Sequence, residues 1–207
     1  MIDYSFYQPT PKELAAFVAT QRMGRLVTAS RAGQPTVGLY PYLTDGDAIE
    51  LHLVKRDTQV ANIRENPRIV FEVDEVLSYV PSYFEDPDNG TRADNYYRVA
   101  ILEGSAQLTD DADALADHLR RLIARYQPEG KHRVVTAADP MYASGIAQLV
   151  MIRLQPTRSW GKFKLGQQRP AAEREYIAQA LRSRARPGDD HTANLVDRTL
   201  VSGAPDA

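Results

Sequence analysis

The sequence predicts a mainly β protein with added helices, arranged as a small antiparallel barrel, and three observations predict it. Short apolar alternations at 25–30, 36–43 and 49–54 are separated by turn compositions, and hairpin turns join antiparallel neighbours, whereas parallel strands need long crossovers. The stretch 49–73, IELHLVKRDTQVANIRENPRIVFEV, reads as strand, basic turn, short helix and strand with no slack between them. Up to Val73 the order is helix, three antiparallel strands, short helix and strand, which suits a small barrel better than a βαβ sheet.

Taken in order, Thr10-Pro11-Lys12-Glu13 is a capping box with proline at the first helical position, and Leu14, Phe17 and Val18 supply the buried stripe of a helix ending near Thr20. Arg31-Ala32-Gly33-Gln34-Pro35 turns a hairpin between strands 25–30 and 36–43, and Asp45-Gly46-Asp47 leads into a third strand. In that strand Ile49, Leu51 and Leu53 alternate with Glu50, His52 and Val54. Asp57 then caps a helix over 58–66 whose Val60 and Ile63 face inward, and Asn66-Pro67 stops it, since a residue before proline avoids helical angles. A strand at 68–73 follows, with 76–80 as its continuation or successor.

Residues 82–94, SYFEDPDNGTRAD, are polar and rich in turn formers, which predicts a loop or flap. Residues 95–108 read as one long strand or a bent pair, with Gly104 at a bulge. A helix begins at Thr109 or Asp110, where Leu115, His118, Leu119, Leu122, Ile123 and Tyr126 recur at 3.6-residue spacing, acids early and arginines late. A linker at 127–140, a strand at 148–154 and a helix at 171–182 complete one domain over 1–182. Residues 183–207 are expected to form a weakly ordered tail.

With 43% hydrophobic and 25% charged residues, the 207-residue chain has the composition of an ordinary soluble domain. A formal charge of −2 and a pI near 6.1 argue against a protein that coats nucleic acid or an anionic membrane. There is no cysteine, which excludes disulfides and thiol catalysis. The start carries an acid at position 3 and no apolar run spans a bilayer, so a cytoplasmic protein is expected. The four histidines lack metal-ligand spacing, and GxSxG, Walker A and GxGxxG elements are missing. Chemistry carried by a cofactor, or simple binding, remains.

Three places carry candidate function. At the end of the third strand Lys55, Arg56 and Thr58 converge with a helix start, which suits a phosphate dianion; the same residues also read as a solvated basic turn capped by Asp57. Eleven tyrosines include the pairs Tyr40 with Tyr42, Tyr79 with Tyr83, and Tyr96 with Tyr97, which either wall a planar ligand or cap barrel ends and interfaces. Tyr40 and Tyr42 are expected on one face of their strand, Val37, Leu39 and Leu43 on the other. In WGKFKLGQQRP, at 160–170, Trp160 stands beside Lys162, Lys164 and Arg169, a set that suits an anionic aromatic ligand or an interface loop.

These residues resemble the FMN-binding split-barrel superfamily typified by pyridoxamine 5'-phosphate oxidase, and most closely its PaiB-type branch. The matching segments are HLVK at 52–55, SYVPSYF at 78–84 followed by Asn95-Tyr96, and KLGQQR at 164–169. Asp94 and Gln59 depart from the pattern, Gln59 standing where many members place the lysine that meets the FMN phosphate. The resemblance implies a six-stranded antiparallel split β-barrel with flanking helices, FMN as cofactor, and a homodimer with each site built from both chains. It implies that Lys55, Arg56 and Thr58 hold the phosphate with Gln59 also at the cofactor, that Val37, Gly38, Leu39, Tyr40, His52 and Leu53 line the isoalloxazine ring, and that Trp160, Lys164 and Arg169 reach in. The expected function is an FMN-dependent oxidoreductase acting on a small molecule. The alternatives are a flavin-binding regulator without turnover, or the same pocket holding deazaflavin or haem, with His52 the one histidine near it.

Overall fold

A computed structural model of the chain describes residues 4–201. Seven strands form one sheet in the order β2-β1-β5-β6-β7-β4-β3: β1 (Met23–Ala29), β2 (Pro35–Pro41), β3 (Leu43–Asp45), β4 (Ala48–Val54), β5 (Arg68–Val80), β6 (Asp94–Thr109) and β7 (Leu149–Lys164). Six α-helices are interspersed among the described residues: α1 (Pro11–Thr20), α2 (Thr58–Glu65), α3 (Ala112–Tyr126), α4 (Pro140–Ile146), α5 (Ala171–Arg184) and α6 (Asp189–Val201). The mainly β class and antiparallel pairing are as expected, and the strand beyond the expected six is β3, split from β2 at Tyr42. None of these helices is long and apolar enough to cross a membrane.

The chain divides into two compact units, the first formed by residues 1–14, 74–100 and 160–207, the second by 15–73 and 101–159. In the second unit the hairpin β1–β2 pairs Leu26 with Gly38 and Gly24 with Tyr40, and β4 pairs with β7 so that His52 faces Met151 and Glu50 faces Arg153 in register. Leu26, Ile49, Leu51, Val60, Phe71, Ile152 and Leu154 are buried, the apolar phase of the alternation anticipated in β4 and α2. Asp57 caps α2 by accepting from the Gln59 N–H at 2.8 Å, and the helix stops before Pro67. Gly33 and Gly46 take positive φ in the two hairpin turns, conformations that cost a side chain strain.

α3 starts two residues later than its earliest expected cap, because Asp111 supplies the capping oxygen to Ala114 N at 2.8 Å. Leu115, Ala116, Val135, Ile146 and Met151 form a core with it. The expected linker at 127–140 therefore contributes a buried Val135, and Asp139-Pro140 opens an unforeseen helix, α4, with the Asp139 carboxylate accepting from Met141 N. Gly104 answers a close approach: a Cβ there would lie 2.2 Å from the Gln155 carbonyl oxygen.

The capping box that opens α1 lies in the first unit, Glu13 N donating to Thr10 Oγ1 at 3.3 Å and Thr10 N to Glu13 Oε2 at 2.8 Å. The clearest correction concerns the tail. Residues 189–201, expected to be weakly ordered, form α6, which packs on α5 with Ala193, Leu195 and Val196 buried alongside Ile177, Ala178 and Leu181. Buried Asp189 locks its start: Arg184 binds both carboxylate oxygens, Ser78 Oγ donates at 2.7 Å, and this pairing holds the carboxyl down at about 2. The last six residues of the expected tail lie outside the described residues.

Candidate functional site

The strand-end turn places Lys55 and Arg56 between β4 and α2 as the sequence predicts. Arg56 is exposed and has no hydrogen-bond or ion-pair partner among the described residues. Lys55 Nζ lies 3.2 Å from an Asp110 carboxylate oxygen in an open ion pair. The Thr58 hydroxyl is exposed at the helix start, where Asp57 already occupies the Gln59 N–H. A free guanidinium, an exchangeable ammonium and a hydroxyl beside a helix N-terminus form a donor set that fits a phosphate dianion.

Gln59, in contrast, does not point its amide at solvent. It is buried, its Nε2 donating to the Tyr40 hydroxyl at 2.7 Å while its Oε1 accepts from Thr28 Oγ1 at 3.4 Å. Asn62, one turn on, donates to Thr28 Oγ1 at 3.0 Å and Thr36 Oγ1 at 3.1 Å. This polar seam ties α2 to β1 and β2 and so fixes where Arg56 and Thr58 stand. Gly38 is part of it: a Cβ there would lie 2.3 Å from the Tyr40 hydroxyl and 2.5 Å from Gln59 Nε2, so only glycine leaves room for the tyrosine to fold onto the glutamine. Burial raises the Tyr40 phenol above its ordinary range, so it stays protonated and keeps its own O–H to donate.

On β2 the outward residues are Val37 and Leu39, 60% and 55% exposed, while Gly38 and Tyr40 turn toward the seam. The expectation that Tyr42 shares an open face with Tyr40 fails: Tyr42 is 0% exposed, packs edge-on against Phe71 and donates to the Val18 carbonyl. The strand is interrupted at Tyr42, between β2 and β3, which removes that residue from the alternation. On β4 adjacent side chains point to opposite faces, so Leu53 is buried with Ile49 and Leu51 while His52 turns the other way with Glu50. His52 and Leu53 therefore do not line one surface together.

The face that carries His52 holds a residue the sequence reading passed over. His118 of α3 is 0% exposed, and its Nε2 lies 3.1 Å from His52 Nδ1 with the rings edge to face, centroids 5.1 Å apart. His118 Nδ1 is buried without a partner among the described residues. Burial, reinforced by His52, pushes the His118 imidazole down to about 4, and burial lowers His52 as well. The signal available was a histidine at a core position of an otherwise apolar helical stripe, a site where a polar ring requires a partner.

In the first unit the 160–170 stretch is divided. Residues up to Lys164 continue β7, with Gly161 and Phe163 buried and Trp160, Lys162 and Lys164 half-exposed, a period of two. Gly166 then turns at positive φ, where a Cβ would lie 2.3 Å from the Tyr96 hydroxyl. Both cations expected to reach a ligand are met within the chain. Lys164 pairs with Asp94, which also accepts from Gln168 Nε2 at 3.3 Å, and Gln168 Oε1 accepts from the Tyr7 hydroxyl at 2.8 Å. Arg169 pairs with Glu85, their side chains 8% and 6% exposed, and donates to the Arg92 carbonyl at 3.1 Å. Lys164 and Arg169 are thus each neutralised by a separate carboxylate, Asp94 and Glu85, and bring no free charge.

Residues 1–158 match the model of the family described as "Putative FMN-binding domain". Among solved structures the chain is similar to the conserved hypothetical protein Rv2991 from Mycobacterium tuberculosis, at 21% identity over 79% of this chain and 90% of that one, TM-score 0.60. It is similar to the flavocytochrome Anf3 from Azotobacter vinelandii, at 17% identity over 79% and 72%, TM-score 0.65. It is also similar to the FAD and heme binding protein from Mycobacterium smegmatis, at 17% identity over 77% and 74%, TM-score 0.63. At these identities the likeness is one of fold. No curated protein matches the chain.

Proposed function

The chain belongs to the FMN-binding family whose model spans residues 1–158, and on that premise we propose that it is an FMN-dependent oxidoreductase acting on a small molecule as a homodimer. FMN supplies hydride or electron transfer when bound, so the protein's task is to bind, orient and set the polarity around it. Arg56 and the Thr58 hydroxyl hold the phosphate. Lys55 joins them by exchanging Asp110, since an exposed ion pair of this kind is worth only about 0–1 kcal/mol. The Tyr40–Gln59–Thr28–Asn62 seam keeps α2 docked, so the donors stand in place before the ligand arrives.

Support for the homodimer comes from β2, an outermost strand of the sheet order with Val37 and Leu39 outward. An apolar outermost strand in solution favours a partner, and a second copy or the flat face of the flavin suits that surface. Within the family we place the chain nearest the PaiB-type branch, on HLVK, SYVPSYF and KLGQQR.

The observation that carries the reading is the unpartnered Arg56 at the start of α2 in a chain of this family. Titrating the purified protein into FMN tests it: quenched flavin fluorescence and a shifted visible spectrum are expected. A spectrum identical to free FMN at every protein concentration would contradict the cofactor, and light scattering that returns a single-chain mass of 23.1 kDa would contradict the dimer. Protein-bound FMN that never turns over a small-molecule acceptor after reduction would leave a binding protein in place of an oxidoreductase.

A further inference from the structure

The imidazole pair on β4 and α3 has a proton arrangement that the burial of its atoms decides. One N–H lies between His118 Nε2 and His52 Nδ1, at 3.1 Å, and either ring can donate it. If His52 donates from Nδ1, neutral His118 accepts at Nε2 and must carry its own proton on Nδ1, a buried atom with no acceptor among the described residues. If His118 donates from Nε2, its Nδ1 is a bare lone pair. Buried N–H groups without acceptors are rarer in native proteins than acceptors left short of a donor, so the second arrangement is favoured. A doubly protonated pair is opposed by burial of both rings.

The charged groups around the pair do not reverse this. Glu50, the nearest carboxylate on β4, is already bound by Arg121 at 2.7 Å and by Arg153, and Asp117 on α3 is bound by Arg120 and Arg121, each at 2.9 Å. The carboxylates that would favour a charged imidazole are thus balanced by arginines on α3 and β7, and the net result is a lowered affinity of His118 for a second proton.

We propose that His118 is a positioning residue that fixes His52 as the neutral Nε2–H tautomer, so that β4 presents an imidazole donor to a carbonyl oxygen or ring nitrogen of the bound ligand. The open side of His52 allows it: the residue is only half-buried, and Nε2 has no partner among the described residues. A ligand that offers a lone pair is accepted there, and one that offers an N–H or a cation is not. The same arrangement excludes His52 as an axial ligand to a haem iron through Nε2, because a metal takes an imidazole lone pair and the one on His52 is turned to His118. The identification of that ligand as the flavin rests on the function proposed above, whereas the tautomer does not.

The test is long-range 1H–15N correlation on protein with 15N-labelled histidine, His52 being assigned by its loss in His52→Gln. In the ligand-free protein His52 is expected to show a protonated Nε2 and a bare Nδ1, unchanged from pH 8 to pH 6. A protonated Nδ1, an average of both tautomers, or a charged ring at pH 7 overturns the proposal. His118→Gln keeps an amide donor near the position of Nε2 and is expected to preserve the His52 spectrum. His118→Phe removes it, and His52 should then average its tautomers and titrate closer to an ordinary histidine; an unchanged His52 spectrum in His118→Phe overturns the proposal, as does a His52 signal in His118→Gln that behaves like the Phe variant. With FMN and with riboflavin as probes, His118→Phe should weaken both by about the same factor, roughly threefold to tenfold, the scale of one neutral hydrogen bond. Full affinity for both despite the lost tautomer would mean that His52 does not meet the ligand, and failure of the wild type to bind either flavin would refute the cofactor reading while leaving the tautomer result to stand. A haem absorption band that His52→Gln abolishes, with hemin as the probe, overturns the donor assignment.

Discussion

Two clusters of cations, one in each unit, look alike in the sequence and differ in what meets them. Lys55 and Arg56 follow β4 with one exposed partner among the described residues, Asp110 against Lys55, and none against Arg56. Lys164, the last residue of β7, and Arg169 in the turn beyond it stand against carboxylates that are themselves largely buried, Asp94 and Glu85. A cation is available to a ligand when its countercharge is water or an exposed side chain; once it neutralises a buried carboxylate, removing it leaves an uncompensated charge. The first cluster is therefore fitted to bind and the second to hold loop and strand together.

The strongest way to break this contrast is Arg169→Ala, which takes from Glu85 the buried guanidinium packed against it and leaves the more exposed Arg92, 3.0 Å away, as its remaining cation among the described residues. It is expected to destabilise the protein by about 1.5–3 kcal/mol, the scale of a lost charged hydrogen bond, read as a clear fall in melting temperature, with Arg56→Ala changing that temperature little. Comparable thermal stability of the two variants would erase the distinction. Next comes pH. His118 has its affinity for protons lowered in the folded state to about 4 against 6.5 unfolded, so its neutral form stabilises the fold above pH 6.5 and that stability is lost as pH falls from 6.5 toward 4. The loss at the low end is about 3 kcal/mol, and His118→Phe should flatten that part of a urea-denaturation profile measured between pH 7 and 4.5.

Gly38→Ala should follow, since its methyl collides with the Tyr40–Gln59 contact. Overpacking of this kind costs about 1–3 kcal/mol, and because the seam positions α2, FMN affinity should fall along with the melting temperature. The smallest effect belongs to Asp110→Asn, which frees Lys55: stability should change by less than about 1 kcal/mol, and FMN should bind slightly tighter in calorimetry.

The legible parts of the fold were those whose signals are local. Thr10 and Glu13 cap each other three residues apart, Asp57 caps α2, and Gly33 turns the first hairpin, all readable without knowing what packs where. β7 runs on through Pro156 to Lys164, beyond the strand expected at 148–154, since a proline is tolerated where no ladder bond needs its N–H. α6 was missed because Gly188 and the two aspartates at 189 and 190 resemble a turn; acids in a first turn also suit a helix dipole, and Thr192, Leu195 and Val196 give the buried stripe. In the candidate site, Lys55, Arg56 and Thr58 were readable because one turn holds them. The fate of Lys164 and Arg169 was not, because Asp94 lies 70 residues and Glu85 84 residues away in the chain, and no spacing rule reports such a pairing. The His52–His118 pair, 66 residues apart, escaped for the same reason.

The measurement that bears most directly on the open cluster is the affinity of Arg56→Ala for FMN and for riboflavin, which share a ring and differ by the phosphate. A charge-assisted hydrogen bond is worth about 1.5–3 kcal/mol, so FMN binding should weaken by roughly tenfold to a hundredfold, while riboflavin binding and melting temperature stay within error of the wild type. Equal losses for both flavins, or no loss for either, would show that Arg56 does not hold the phosphate and that the β4–α2 turn is a solvated one.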